Sequence, residues 1–466
     1  MPYYEDALAS WGRTADAQVD ALQYEVSTLT NEVARLEAEI GQATVEKVIA
    51  EANLAECQAT LADVRRQLAE CQGGGGGSSL PLVNAIHSDR VATSYGVCAH
   101  VNFNTTVYGA TKDWLARLDS MGTSYFRSMY AHTLPSNAVA ITEARRLGLK
   151  WLATVTPEDW SQTDAQLLAR LQHIKSNAAD VVIAIEGVNE PNHERSGGPP
   201  PADWPQRTLR VQKIIWDFVQ ANMPHIQVVG PSLHSSVSTA QQDQVRLGEL
   251  GIGAYMDSAG LHRYFSGRYP DYLTDERIGW IRAAYGANMP IWVTETGYTN
   301  CVNNTTQHKP VPENVSAKYG PLTVLEFFVR GCNTTRYELL DDPDPEKNDV
   351  ESNFGLWRTP SLSPTTWTEK PEASAMRGFV AGLADPGPTF TPDPVPLSVT
   401  APSTVKSLVV GKRDGSHRLL LWQRAPIFDP MTQKPMTAPN ATAVVERPLF
   451  TSSVTVPAGE VVTVSL

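Results

Sequence analysis

Three periods of apolar residues divide this chain. From Val19 they recur at alternating spacings of three and four: Val19, Leu22, Val26, Leu29, Val33, Leu36 and Ile40, and on to Leu54, Cys57, Leu61, Val64, Leu68 and Cys71. A period of 3.5 specifies a helix that supercoils with copies of itself, so residues 1–72 are expected to be a coiled-coil stalk. A stripe this narrow and long does not suit a lone helix docked on a globular surface. Val and Ile at a with Leu at d favour two strands in the first half. The second half leaves dimer and trimer open, so the partner is a homo-oligomer, dimer or trimer, formed through residues 15–72. Lys47 at a core position tunes register. Residues 73–79, GGGGGSS, have the composition of a flexible linker.

From Ser94 to Asp385 the pattern becomes short β-branched runs alternating with helical periods. Strands are expected at 95–102, 124–130, 150–156, 181–188, 226–230, 258–264, 291–296 and 334–340. Helices are expected at 112–121, 138–147, 164–176, 204–221, 241–250, 275–285, 312–330 and 372–383. Eight strand–helix units of this size predict an α/β fold, a (β/α)8 TIM barrel spanning residues 80–385. The stretch from Leu340 to Glu372 is long for a connection and is expected to line or cover a site. After the proline-rich crossing at 386–396 come alternating strands at 405–412, 418–423, 441–446 and 460–465. These predict a small antiparallel β-sandwich accessory domain at 386–466.

Composition narrows the partners. The chain is 42% apolar and 19% charged, with a net charge of −12. Residues 1–72 hold 13 acidic and 5 basic side chains, hence −8, which leaves −4 for the rest. Such a balance argues against nucleic acid as a partner. The sequence carries no apolar run of membrane-spanning length and no signal-peptide pattern, so membrane insertion is not expected. The cysteines Cys57, Cys71, Cys98, Cys301 and Cys332 have no metal-ligand spacing, and no histidine pair has helix-face spacing. Neither a metal nor a cofactor is expected.

The chemistry concentrates at two strand ends. The run AIEGVNEPN leads to Glu190, and IWVTETGY leads to Glu295. Strands this apolar are buried on both faces, so a carboxylate there needs a purpose. Two such carboxylates suit a reaction in which one protonates a leaving group while the other attacks the same centre. Glu295 would have to stay ionised beside a cation. Arg127, within the apolar strand Tyr125-Phe126-Arg127-Ser128-Met129, is the candidate.

Asn189-Glu190-Pro191 after the fourth strand, with Thr294-Glu295-Thr296-Gly297 at the seventh, resembles the clan of retaining (β/α)8 glycoside hydrolases, families 5 and 39 above all. The resemblance covers about residues 94–466. It implies Glu190 as general acid/base and Glu295 as nucleophile, with carboxyl groups about 5–5.5 Å apart. It also implies Asn189 on a sugar hydroxyl, Arg127 beside the nucleophile, and His262 and Tyr264 orienting it from strand six. Strand eight departs from the clan, ending Tyr337-Glu338-Leu339-Leu340 without the tryptophan that many members place there. Trp357 would then substitute from the following loop.

His100, Asn102, His132 and His234 also follow strand ends and are site candidates as a group. Trp160, Trp357 and Tyr337 are candidate sugar-stacking platforms. Two readings stay open. One is a retaining glycosidase acting on a polysaccharide, in the setting of a phage tail protein that degrades a host envelope glycan. The other is a non-catalytic, glycan-binding receptor module of a virion or surface assembly. Stalk, hinge and missing secretion signal together suit a virion tail with other tail proteins as neighbours, or another extracellular, surface-acting setting.

Overall fold

The computed structural model describes residues 80–466 except 157–161, 195–198, 235–238, 305–307, 344–347 and 449. The stalk expected at 1–72 and the linker at 73–79 lie outside the described residues.

The barrel strands are β1 (Tyr95–Cys98), β2 (Tyr125–Met129), β3 (Lys150–Thr154), β4 (Val182–Glu186), β5 (Gln227–Val229), β6 (Ala259–His262), β7 (Ile291–Thr296) and β8 (Cys332–Arg336). They pair in the order β5-β4-β3-β2-β1-β8-β7-β6, every neighbour parallel. A parallel bridge between Val229 and Ser258 brings the two open edges, β5 and β6, together. The helices between the strands are α1 (Thr111–Ser120), α2 (Pro135–Leu147), α3 (Asp164–Asn177), α4 (Trp204–Asn222), α5 (Ala240–Glu249), α6 (Thr274–Tyr285), α7 (Glu313–Phe328) and α8 (Pro371–Leu383). Local chemistry sets their ends. Thr163 and Gln166 form a capping box at the start of α3, and Gly148 closes α2 in the left-handed region at φ 73°.

Inside the barrel, Tyr125, Leu152, Ala184, Val229 and Trp292 form a separate apolar plug. The Trp292 indole donates to the Tyr125 hydroxyl at 2.9 Å, and that hydroxyl donates to the Thr334 carbonyl at 2.9 Å. The plug fills the barrel below the carboxyl ends of the strands, so the polar residues one layer above it have a rigid floor.

Strand β7 carries one residue more than either neighbour needs. Val293 pairs with Leu261 and Thr334, but the next partners are Glu295 with His262 and Thr296 with Arg336. This bulge breaks the alternation of faces. Trp292 and Thr294 face inward, as their contacts with Tyr125 and Ser232 show, and Glu295 reaches the inward-facing Arg127 as well.

Most of the C-terminal strands fall in two sheets and pair antiparallel with one another. One holds β9 (Ser398–Thr400), β12 (Ala441–Arg447) and β13 (Phe450–Val456). The other holds β10 (Val405–Gly411), β11 (His417–Gln423) and β14 (Val461–Ser465). Leu397, Val409, Leu419, Leu421, Ala443, Val445 and Val456 share one apolar cluster. Strands β9 and β13 were not expected from the sequence, because their alternation is weak and polar. The expected domain start at residue 80 also needs correction. Leu82–Val83 pairs with Val395–Pro396, and Ile86–His87 joins β10 in parallel, so this segment belongs with the C-terminal sheets. Glu326 of α7, fully buried, ties the sheets to the barrel. It accepts from the Trp422 indole at 2.8 Å and from Arg424 at 2.6 Å.

Candidate active site

Arg127 organises the carboxyl end of the barrel. It stands two residues beyond Tyr125 on β2, so it shares the inward face one layer above the plug. Its Nε donates to Oε2 of Glu186 at 2.5 Å, its Nη1 to Oε1 of Glu295 at 2.6 Å, and its Nη2 to Oδ1 of Asn189 at 2.6 Å. One guanidinium thereby spans β4, β7 and the loop after β4. Burial alone would lower its pKa, but the charges of Glu186 and Glu295 raise it well above the usual value.

Glu186 was not singled out in the sequence, yet it is fully buried. The period-2 pattern carries the signal, since Ala184 of β4 lies in the plug and Glu186 is two residues on. Burial pushes its pKa up and Arg127 pulls it further down, so it is ionised. Its other oxygen accepts from Ser232 Oγ at 2.7 Å, and Ser232 shares a 2.6 Å hydrogen bond with Thr294. This contact needs Gly260, because a Cβ there would lie 2.2 Å from Ser232 Oγ.

Glu295 accepts from the Tyr264 hydroxyl at 2.8 Å in addition to Arg127, and is 9% exposed. Tyr264 is kept protonated, its pKa raised first by burial and then by the Glu295 charge. Glu190 lies in the loop after β4 with φ at 44°, its N–H donating to the Ser232 carbonyl at 2.8 Å. His262 Nδ1 stands 2.8 Å from Glu190 Oε1 and 3.4 Å from Glu295 Oε2. Burial lowers the His262 pKa, but Glu295 and the hydrogen bond to Glu190 outweigh it, and the net shift is upward. One carboxyl oxygen of Glu190 and one of Glu295 lie within 4.8 Å of each other and of a His262 nitrogen.

The structure thus brings together Glu190, Glu295, Asn189, Arg127, His262 and Tyr264. His234 is beside them, its ring stacked on His193 at 4.0 Å. His100 is displaced toward β8. Its Nε2 is 2.9 Å from Oε2 of Glu338, which also accepts from the Tyr108 hydroxyl at 2.7 Å. The pair Glu338 and Tyr108 was not foreseen; Glu338 stands in the segment noted as departing from the clan. Asn102 lies in the turn after β1 with its Oδ1 buried and unpartnered among the described residues, and no hydrogen bond ties it to either glutamate. His132 faces His173 instead, the rings 5.5 Å apart.

Trp160 lies outside the described residues. Trp357 needs correction as a platform. It is 5% exposed within the main apolar cluster, pinned there by backbone bonds to Leu339 and Asp341, and offers no open face. The half-buried aromatic rings here are instead Tyr264, Tyr337 and His308, packed edge to face around Phe354, which is itself only 1% exposed. Phe354 comes from the long connection after β8 and backs these rings from within a buried apolar cluster. The described residues include no helix long and apolar enough to cross a membrane.

This architecture is a (β/α)8 barrel. No protein-family model matches the chain, and no curated protein matches it. Among solved structures, the chain is similar to AbfB, a family 51 α-L-arabinofuranosidase from Bifidobacterium longum, with a TM-score of 0.52 at 10% identity, over 84% of this chain and 96% of that one. It is also similar to a monomeric β-xylosidase from Caulobacter crescentus CB15, with a TM-score of 0.51 at 13% identity, over 82% and 95% of the two chains. At these identities the likeness is one of fold.

Proposed function

We propose that this chain is a retaining glycoside hydrolase, with Glu190 as acid/base and Glu295 as nucleophile. One observation carries the reading: carboxyl oxygens of the two residues lie within 4.8 Å of each other at the mouth of a parallel barrel. That separation suits double displacement and leaves no room for the water that inversion requires between them. In the first step a Glu295 oxygen bonds to the anomeric carbon while Glu190 gives its proton to the departing glycosidic oxygen. In the second, Glu190 takes a proton from water, the water oxygen bonds to the same carbon, and Glu295 leaves. Arg127 and Tyr264 donate to Glu295 and hold it aimed, and Asn189, fixed by Arg127, faces the sugar.

A polysaccharide is the proposed substrate. What supports presentation as an oligomer, on a virion tail facing a host envelope glycan, is the heptad seam of residues 15–72 and the glycine tether after it. The test is incubation of the full chain with a panel of aryl glycosides and with envelope polysaccharide, following the first-formed anomer by proton NMR. Retained configuration is expected. An inverted first product would remove Glu295 as nucleophile, and glycan binding with no turnover would favour the receptor module.

A further inference from the structure

Asn192 joins the loops after β4 and β5. Its Oδ1 accepts from the His234 N–H at 2.9 Å, and its Nδ2 donates to the His234 carbonyl at 3.4 Å and to Asp243 Oδ2 at 3.1 Å. Asp243, buried on α5, is held in turn by Thr239 Oγ1 at 2.8 Å. One turn earlier the same two loops pair through Asn189 and Ser232. The clamp lays the ring of His193, the next residue, flat on that of His234, at 9° between planes. The His193 N–H donates to the Glu190 carbonyl at 3.1 Å, which curls the chain so that side chains 190 and 193 share a side.

The result is a donor set of which the proposed reaction uses only Glu190. One ligand atom from each of Glu190, His193 and His234 lies within 4.8 Å of the others. The Nδ1 atoms of both histidines are buried with no hydrogen-bond partner among the described residues. Two imidazoles and one carboxylate are the donor set of borderline divalent ions such as zinc. Bonds of about 2.0–2.1 Å would require the donors to close in by side-chain rotation, with the backbone in place.

We infer that Glu190, His193 and His234 bind one divalent transition-metal ion of the zinc type, and that an ion held there blocks the acid/base. The binding clause stands on geometry alone, and the blocking clause rests on the function proposed above. An ion on Glu190 occupies the lone pair that must carry the proton, so occupancy and turnover exclude each other. The other cluster at the site, Glu190, His262 and Glu295, is less suited, because His262 Nδ1 already engages Glu190 and Arg127 engages Glu295.

The test uses the metal-stripped full chain, titrated with zinc by calorimetry and with cobalt by visible spectroscopy. One equivalent should bind. The cobalt spectrum should show nitrogen and oxygen ligands without the thiolate band that Cys57 or Cys71 would give. His193→Ala and His234→Ala should each weaken zinc at least tenfold, a loss that even second-shell changes reach, while His225→Ala, a remote surface change, should leave it intact. Affinity unchanged in both site variants, or a thiolate spectrum, would overturn the site. Zinc should also inhibit glycoside turnover, reversibly with a chelator, and less in His234→Ala. Binding as described without inhibition would uphold the site and overturn the role given to Glu190.

Discussion

Arg127 and Glu186 form a buried ion pair at 2.5 Å, Glu186 being fully buried and Arg127 6% exposed. The pair fixes the guanidinium plane, and that plane sets where Glu295 and Asn189 stand. Removing one partner of a buried pair leaves an uncompensated charge, at a cost of about 3–5 kcal/mol. Glu186→Gln should therefore lower stability by about that amount, as read from denaturant unfolding midpoints. A change under about 1 kcal/mol would mean that Glu295 and Asn189 suffice to hold Arg127.

Glu295→Gln should abolish turnover with fold and glycan binding kept. The amide retains the size of the side chain but not the attacking lone pair. A fall in kcat on the order of 10⁴ or more is expected. Steady-state assays alongside circular dichroism check this, and a variant within tenfold of the parent would end the nucleophile assignment.

Glu190→Ala removes the proton donor. Substrates with poor leaving groups should lose most activity, while activated aryl glycosides still form the glycosyl ester. Azide should then restore turnover and give a glycosyl azide of retained configuration. Azide without effect on an activated substrate would place the acid/base elsewhere.

His262 predicts a pH dependence. Its pKa is raised in the folded state, since the charge of Glu295 and the bond to Glu190 outweigh burial. A raised histidine contributes stability that is complete below its unfolded value, about 6.5, and is lost as pH rises through the folded value. The parent should thus lose stability, as pH rises above about 6.5, more steeply than His262→Gln. Thermal midpoints across that range decide it, and parallel curves would remove His262 from the linkage.

The full chain should be an oligomer and residues 80–466 a monomer, because the heptad pattern of apolar residues lies wholly before the Gly/Ser run at 73–79. Light scattering of both proteins checks this. A truncated protein that keeps the full-length mass would move the interface onto the barrel or the sheets.

Periodicity alone carried the order and type of the barrel elements, since apolar runs of period 2 and period 3.6 follow from what each element must bury. It placed the helices to within a few residues, and the strand-end position of Glu190 and Glu295 followed from it. Strict alternation also contained Glu186, two residues beyond inward-facing Ala184, though apolar context drew attention to the motif residues first. Other features belong to the folded chain. The inward aim of Glu295 depends on one extra residue in β7, visible only against the register of β6 and β8. The meeting of His193 with His234 depends on Asn192 joining two loops across 42 residues of sequence. The loss of Trp357 to the core depends on its backbone bonds to Leu339 and Asp341, in the segment after β8. A bulge, a clamp and a burial are relations between segments, and one segment's pattern of apolar and polar residues does not contain its partner.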